Sequence, residues 1–334
     1  MSRAVVVCLA LILAACAGGG RQAPPAWLSG PVAEYPAERY LIGRGQGPTL
    51  EQAQDRARAE LAKAFRVRIR AVSEDLTRFQ RQAGGGQVTR RLQQAVSRQI
   101  RTQTDQLVEG VEIADVWRDP GSGTFYALAV LDRARAARRL RERMADLDGR
   151  SEAALRRDGD ALMRVRGLYA ALQAQWTRAA LAAAHAVVST RPAPPPPVSL
   201  ADLHKRLTDA LVALRVHPEA EAPPLRAALG DALTALGVTV ADGEAPYRLR
   251  ARLEVRPVGR RADWFWLRGV LRLALVDAQG RPLAAERRPL KAAALDAEQA
   301  EARLLTEATR QVKARVPRLV LGDGATPAWE AAGR

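Results

Sequence analysis

Apolar residues recur at steps of three and four from Ala53 through Ala57, Leu61, Phe65, Ile69, Val72 and Leu76 to Phe79. This period keeps one face of a helix apolar and predicts an amphipathic helix over 51–79. Thr49 is placed to cap it, with Gln52 three residues on. Val88, Leu92, Val96, Ile100 and Leu107 predict a second helix after the break at Gly84-Gly85-Gly86. Residues 111–117 and 124–131 read as strands joined by Asp119-Pro120-Gly121-Ser122-Gly123, a strong hairpin signal. A short strand over 39–43 precedes them. The order over 27–145 is therefore strand, helices, strand, strand, helix.

Residues 146–190 carry Leu155, Leu162, Val165, Tyr169, Leu172 and Trp176 at helical spacing, which predicts one long helix or a helical hairpin. The stripe is a packing face, since no sustained seven-residue repeat accompanies it. Residues 191–199 contain Pro192 and Pro194-Pro195-Pro196-Pro197, a semi-rigid polyproline II spacer and a domain boundary. Beyond it, 200–211 reads as helix and 212–216 as strand. Residues 224–236 form a helix opened by proline, and 238–240 a short strand. Along 247–255 the chain alternates. Tyr247, Leu249, Ala251, Leu253 and Val255 point inward, and Arg248, Arg250 and Arg252 outward. Residues 265–276 and 282–290 form a hairpin around Asp277–Gly280, and 295–319 is a closing amphipathic helix. The fold class is α+β. Two small α/β-sandwich modules, 27–145 and 200–322, are joined by the helical region and the proline-rich spacer. Residues 323–334 are a tail.

The N-terminus departs from all of this. Arg3 is followed by the apolar run Ala4–Ala14, of signal-peptide length and too short to span a bilayer. The run ends in Leu13-Ala14-Ala15-Cys16, which resembles the bacterial lipobox. The resemblance implies cleavage after residue 15, and a diacylglycerol thioether plus an N-acyl group on Cys16. Several chains hold a protein firmly where one holds it marginally. Ala17, in place of aspartate, implies outer-membrane sorting, with the protein on the periplasmic side. Residues 16–26 are a Gly- and Pro-rich tether. Cys8 lies in the discarded peptide.

Composition narrows the field. The chain has 334 residues and 66 alanines but only 4% aromatics, which suits long helices around modest cores. With cysteine only at positions 8 and 16, a disulfide framework and a cysteine-ligated metal site are excluded. The net charge is +16, with 52 basic and 36 acidic residues. Arginine is spread over every helix without a stacking platform of aromatics, so nucleic acid is not the expected partner. Lipopolysaccharide, phospholipid head groups or peptidoglycan fit a tethered basic protein better, alongside a basic surface that is merely solvated.

No catalytic constellation appears. His185, His204 and His217 have no metal-ligand spacing and no Gly-x-Ser-x-Gly elbow accompanies them. Asp115 and Asp119 fit no calcium-loop spacing. Gly43-x-Gly45-x-Gly47 lacks both the dinucleotide-loop spacing and the Gly-Lys-Ser/Thr of a phosphate loop. It is read as a strand end turning into a helix. Trp264 and Trp266, beside Arg260 and Arg261, are the candidates for a partner-contact patch, with core packing of one ring and exposure of the other as the alternative.

Several segments carry a resemblance. They are Pro25-Ala26-Trp27, Tyr40-Leu41-Ile42-Gly43-Arg44-Gly45, the alanine-spaced helix, Val111–Trp117 and Tyr126–Asp132. Together they resemble the LPP-twenty lipoprotein family, whose relatives include FlgP and the N-terminal domain of FlgT. The resemblance implies an outer-membrane lipoprotein without catalytic residues or cofactor. The C-terminal module, on element order and the patterns Gly237…Tyr247-x-Leu249-x-Ala251 and Gly269-x-Leu271…Asp277-x-x-Gly280, resembles the periplasmic domain of TolB, CsgG and LpoB. The expected function is a non-enzymatic assembly or stabilising component of an envelope machine, a flagellar one among them. It would bind envelope proteins, and a homo-oligomer is compatible. The alternatives are an anchored activator of a peptidoglycan synthase and an envelope enzyme.

Overall fold

The computed structural model describes residues 23–30, 32–82, 94, 96–98, 110–156, 159–261 and 263–322. Cys16, the tether's start, the tail, Leu76 and Phe79 as side chains, and Val88, Leu92, Ile100 and Leu107 of the expected second helix lie outside that description. Gln94 and residues 96–98 are helical. The architecture is mixed α and β with two separate sheets. The chain divides into two compact units, one of residues 1–68, 104–139 and 187–191, the other of 69–103, 140–186 and 192–334.

The first unit is built on a three-stranded antiparallel sheet in the order β1-β3-β2, with β1 Tyr40–Gly47, β2 Glu112–Arg118 and β3 Phe125–Asp132. The hairpin between β2 and β3 is held by Asp119. Its carboxylate accepts from the Gly121 and Ser122 amides and from the Ser122 hydroxyl. Helix α1, Leu50–Gln82, opens at Thr49, whose hydroxyl accepts from the Gln52 amide. Its residues Ala53, Ala57, Leu61, Phe65 and Ile69 are buried, as the period requires.

Helix and sheet meet at very short range. A Cβ on Gly45 would collide with the Ala53 carbonyl and the Ala57 amide, and one on Gly43 with the Ala57 carbonyl. Ala127 and Ala129, the register partners of Gly45 and Gly43, are fully buried. The three glycines therefore lie inside β1 and do not turn the chain. They are small because a helix backbone rests on the strand. That corrects the turn expected from the sequence, since glycine permits close approach as readily as unusual dihedrals.

The other sheet face is closed by the segment after the tether. Trp27 packs with Leu128 and Val130, flanked by Leu28, Val32, Tyr35, Tyr40 and Ile42. The Trp27 indole donates to Asp115 (2.6 Å), and Arg44 donates to the carbonyls of Trp27 and Gly30.

In the second unit a five-stranded sheet runs β5-β4-β6-β7-β8, with β4 Arg215–Ala220, β5 Thr239–Val240, β6 Tyr247–Arg261, β7 Trp264–Asp277 and β8 Pro282–Ala294. β4 is parallel to both neighbours, while β6, β7 and β8 form an antiparallel meander. Helices α5 (Pro223–Thr234) and α6 (Ala297–Leu321) cover one face with Leu225, Leu229, Leu233, Leu304, Val312 and Val316 buried. Asp296 caps α6 by accepting from the Gln299 amide.

The strand expected over 212–216 begins at Arg215. Helix α4, Leu200–Ala213, keeps its stripe of Leu203, Leu207 and Leu211 buried and carries Val212 on the exposed side. A β-branched residue on a helix surface is a small cost against three buried leucines.

The helical region is a pair, α2 Arg133–Leu155 and α3 Ala161–Val188. Within the second unit they are bound by a buried polar cluster. Arg178 pairs with Asp148 (2.7 Å) and donates to the carbonyls of Pro194 and Pro195, while Gln175 donates to Asp148. The proline run is thereby fastened to α3. No described helix is long and apolar enough to cross a membrane.

Candidate functional site

The long β6–β7–β8 meander determines where the singled-out residues sit. Inward positions of β7, from Leu267 to Leu275 at every second residue, are buried under the helices. The alternate positions form the uncovered face. There the register places Arg252, Arg272 and Arg287 side by side on three adjacent strands. Two rungs on, it places Arg256, Arg268 and Lys291 side by side. With Arg215, Arg248 and Arg250 on the same face, nine cations face two carboxylates, Glu219 and Glu254. Glu219 pairs with Arg250 and Glu254 with Arg272. Among the described residues, no carboxylate lies within ion-pair distance of Arg252, Arg256, Arg268, Arg287 or Lys291. Like charges directly opposite on neighbouring strands repel, so this face is electrostatically unsatisfied.

Trp266 and Trp264 continue the same alternation toward the hairpin tip and are 38% and 43% exposed. Trp266 pairs across the hairpin with Gly259 and Trp264 with Arg261, where a register shift between Pro257 and Gly259 bends the strand. The Arg303 guanidinium lies 6.0 Å from the Trp264 ring. Arg260 pairs with Phe265 on the opposite parity and donates to the Leu295 carbonyl. The Arg261 side chain lies outside the described residues. Thus the two tryptophans are together and exposed, and Arg260 does not share their face. The arginine rungs were not singled out from the sequence. They become visible only when β6, β7 and β8 are placed in register.

The remaining titratable residues have structural partners. Asp115 receives the Trp27 indole, and Asp119 caps its hairpin, where the Ser122 hydroxyl and the Gly121 amide hold its carboxyl below the usual range. His217 donates to the Ala241 carbonyl (2.8 Å). His185 is fully buried, and burial, then the Arg141 guanidinium, push its pKa down, so it is neutral near pH 7. Burial also lowers the pKa of His204. A half-open cleft of about 430 Å³, bordered by Arg164, Arg206 and Asp209, lies in the second unit. Among the described residues, no group of three or more His, Cys, Asp or Glu is placed to hold a metal ion.

Residues 25–132 match the LPP20 lipoprotein family. The LPP20-like segment ends with Asp132, the last residue of β3. It includes Trp27, Arg44, the three glycines and Asp115. These are the residues that close the small sheet. No curated protein matches the chain.

Among solved structures, the chain is similar to a minor lipoprotein from Acinetobacter baumannii. They share 20% identity over 30% of this chain and 89% of that one, with a TM-score of 0.26. A secreted protein from Helicobacter pylori shares 15% identity over 85% and 98% of the two chains, with a TM-score of 0.46. A Caulobacter crescentus protein described as a lipoprotein shares 25% identity over 35% and 97%, with a TM-score of 0.25.

Proposed function

We propose that this protein is a lipid-anchored component of the cell envelope that assembles or stabilises an envelope machine without catalysing a reaction. The observation that carries this is the LPP20 lipoprotein match beginning at residue 25, just downstream of the lipobox-like Leu13-Ala14-Ala15-Cys16. The anchor is the acylated Cys16, reached by cleavage of the signal peptide, and Ala17 sorts the protein to the outer membrane. The eleven steps from Cys16 to Trp27 reach at most about 40 Å when extended, so Trp27 stays close to the bilayer. The partners are envelope proteins, a flagellar assembly being one version.

The test is metabolic labelling with a fatty acid, followed by membrane fractionation and affinity recovery from solubilised envelopes. The native chain is expected to take up label, fractionate with the outer membrane and recover specific envelope proteins. Cys16→Ser is expected to lose the label. Persistent acylation of that variant, or recovery of no envelope protein, would overturn the proposal.

A further inference from the structure

The second unit carries a further binding surface. We infer that the uncovered face of its five-stranded sheet, together with the β6–β7 tip, is a peripheral membrane-binding site for anionic phospholipid. The first ground is charge. The rungs Arg252–Arg272–Arg287 and Arg256–Arg268–Lys291 set six cations in two rows, and Arg272 is the one with a carboxylate partner among the described residues. Opposite residues on neighbouring strands are about 5 Å apart at Cβ, so these charges repel until counter-charges sit over them. Lipid phosphates arrayed in a plane supply those charges across a flat face.

The second ground is the tip. Nine large hydrophobic residues are exposed among the described residues, and four of them belong to this end of the sheet: Trp264 and Trp266 on the basic face, Val258 at the register shift opposite them, and Leu295, whose carbonyl accepts from Arg260. A basic plane ending in exposed tryptophans and aliphatic side chains matches a bilayer interface. There, phosphates lie above an apolar layer, and amphipathic indoles settle between the two. A wholly polar polyanion, such as a glycan strand, meets the arginines but leaves the apolar tip in water. Asp263, exposed in the turn beside Trp264, and Asp296, exposed next to Leu295, are carboxylates at this end of the sheet and oppose deep insertion. This is consistent with contact at head-group depth and not a membrane span. The site does not depend on lipidation. It gives an anchored protein a second attachment, which forms at high effective concentration once the anchor holds the chain at the bilayer.

The experiment uses the mature chain carrying Cys16→Ser, so that binding reports the face and not the anchor. Co-flotation is measured with vesicles of equimolar phosphatidylglycerol and phosphatidylethanolamine, with phosphatidylcholine vesicles, and with purified peptidoglycan. Retention by the anionic vesicles, at least about tenfold weaker on phosphatidylcholine and weakened by salt, is expected. Arg252→Gln/Arg272→Gln/Arg287→Gln and, separately, Trp264→Ser/Trp266→Ser are each expected to weaken retention about tenfold or more while a cooperative melting transition well above the assay temperature is kept. The inference fails if anionic vesicles do not retain the protein, if both variants bind as the parent does, or if peptidoglycan retains it and vesicles do not. None of these outcomes bears on acylation of Cys16, which the labelling experiment decides separately.

Discussion

The two sheets of this protein are used in opposite ways. In the first unit, both faces of the central strand β3 are buried by folding. Helix α1 rests on Gly43, Gly45 and Gly47, and the Trp27 segment closes the other side. In the second unit, helices cover one face of a five-stranded sheet and the other is left open, with arginines in rows. An antiparallel sheet tolerates one solvated face, so the open side is free to be specified by something other than stability. Most of the family match, residues 25–68 and 104–132, lies in the closed unit. The uncovered basic face lies in the open one.

Substitutions should divide along the same line. Gly45→Ala is expected to have the largest effect. Its new methyl meets backbone atoms of Ala53 and Ala57, which cannot rotate aside. Loss of the first unit's cooperative melting transition is the expected result, with a cost above the usual 1–3 kcal/mol of overpacking. Gly269→Ala in the second unit is the matched control. Its methyl would lie 3.0 Å from the end of the Leu304 side chain, which can adjust. A cost of about 1 kcal/mol or less is expected. Equal effects at the two sites would break the comparison.

Trp27→Ala removes a buried indole and orphans its contact with Asp115. About 3–5 kcal/mol is expected from chemical denaturation. Trp266→Ser, at a position 38% exposed, should cost about 1–2 kcal/mol, less than the buried indole. In the second unit, Arg178→Ala leaves Asp148 partly buried without its cation and releases the Pro194 and Pro195 carbonyls. The expected loss is about 3–5 kcal/mol, as when one partner of a buried pair is removed.

The smallest effect is one of pH. The folded protein holds His185 and His204 below the ordinary imidazole value of 6.5, so the unfolded chain takes up protons first. Their effect is absent above about pH 7, and stability falls as pH drops through 6.5 toward the depressed folded values. The slope approaches at most about 1.4 kcal/mol per pH unit for each proton taken up. His185→Leu should flatten its share of that slope in melts between neutral and mildly acidic pH. An unchanged slope would show that the buried ring does not titrate with unfolding.

Much of the framework follows from residues near one another along the chain. The three-and-four spacing of Ala53 to Ile69 requires a helix. Asp119 to Gly123 requires a hairpin, and Leu13 to Cys16 resembles a lipidation signal, because each of these is a local pattern. Position along the chain carries no record of what approaches from outside it. The glycines of β1 are explained by a helix backbone resting on them, and the turn they suggested does not occur. The charge rungs join residues from three strands, up to 35 positions apart, and look like scattered arginines until strand register aligns them. Short-range periodicity is set by backbone geometry, so the sequence determines the elements and the anchor signal. Which side chains become neighbours depends on how separate elements pack and pair, and that alone decided that one sheet is covered on both sides of its central strand and the other presents an open basic face.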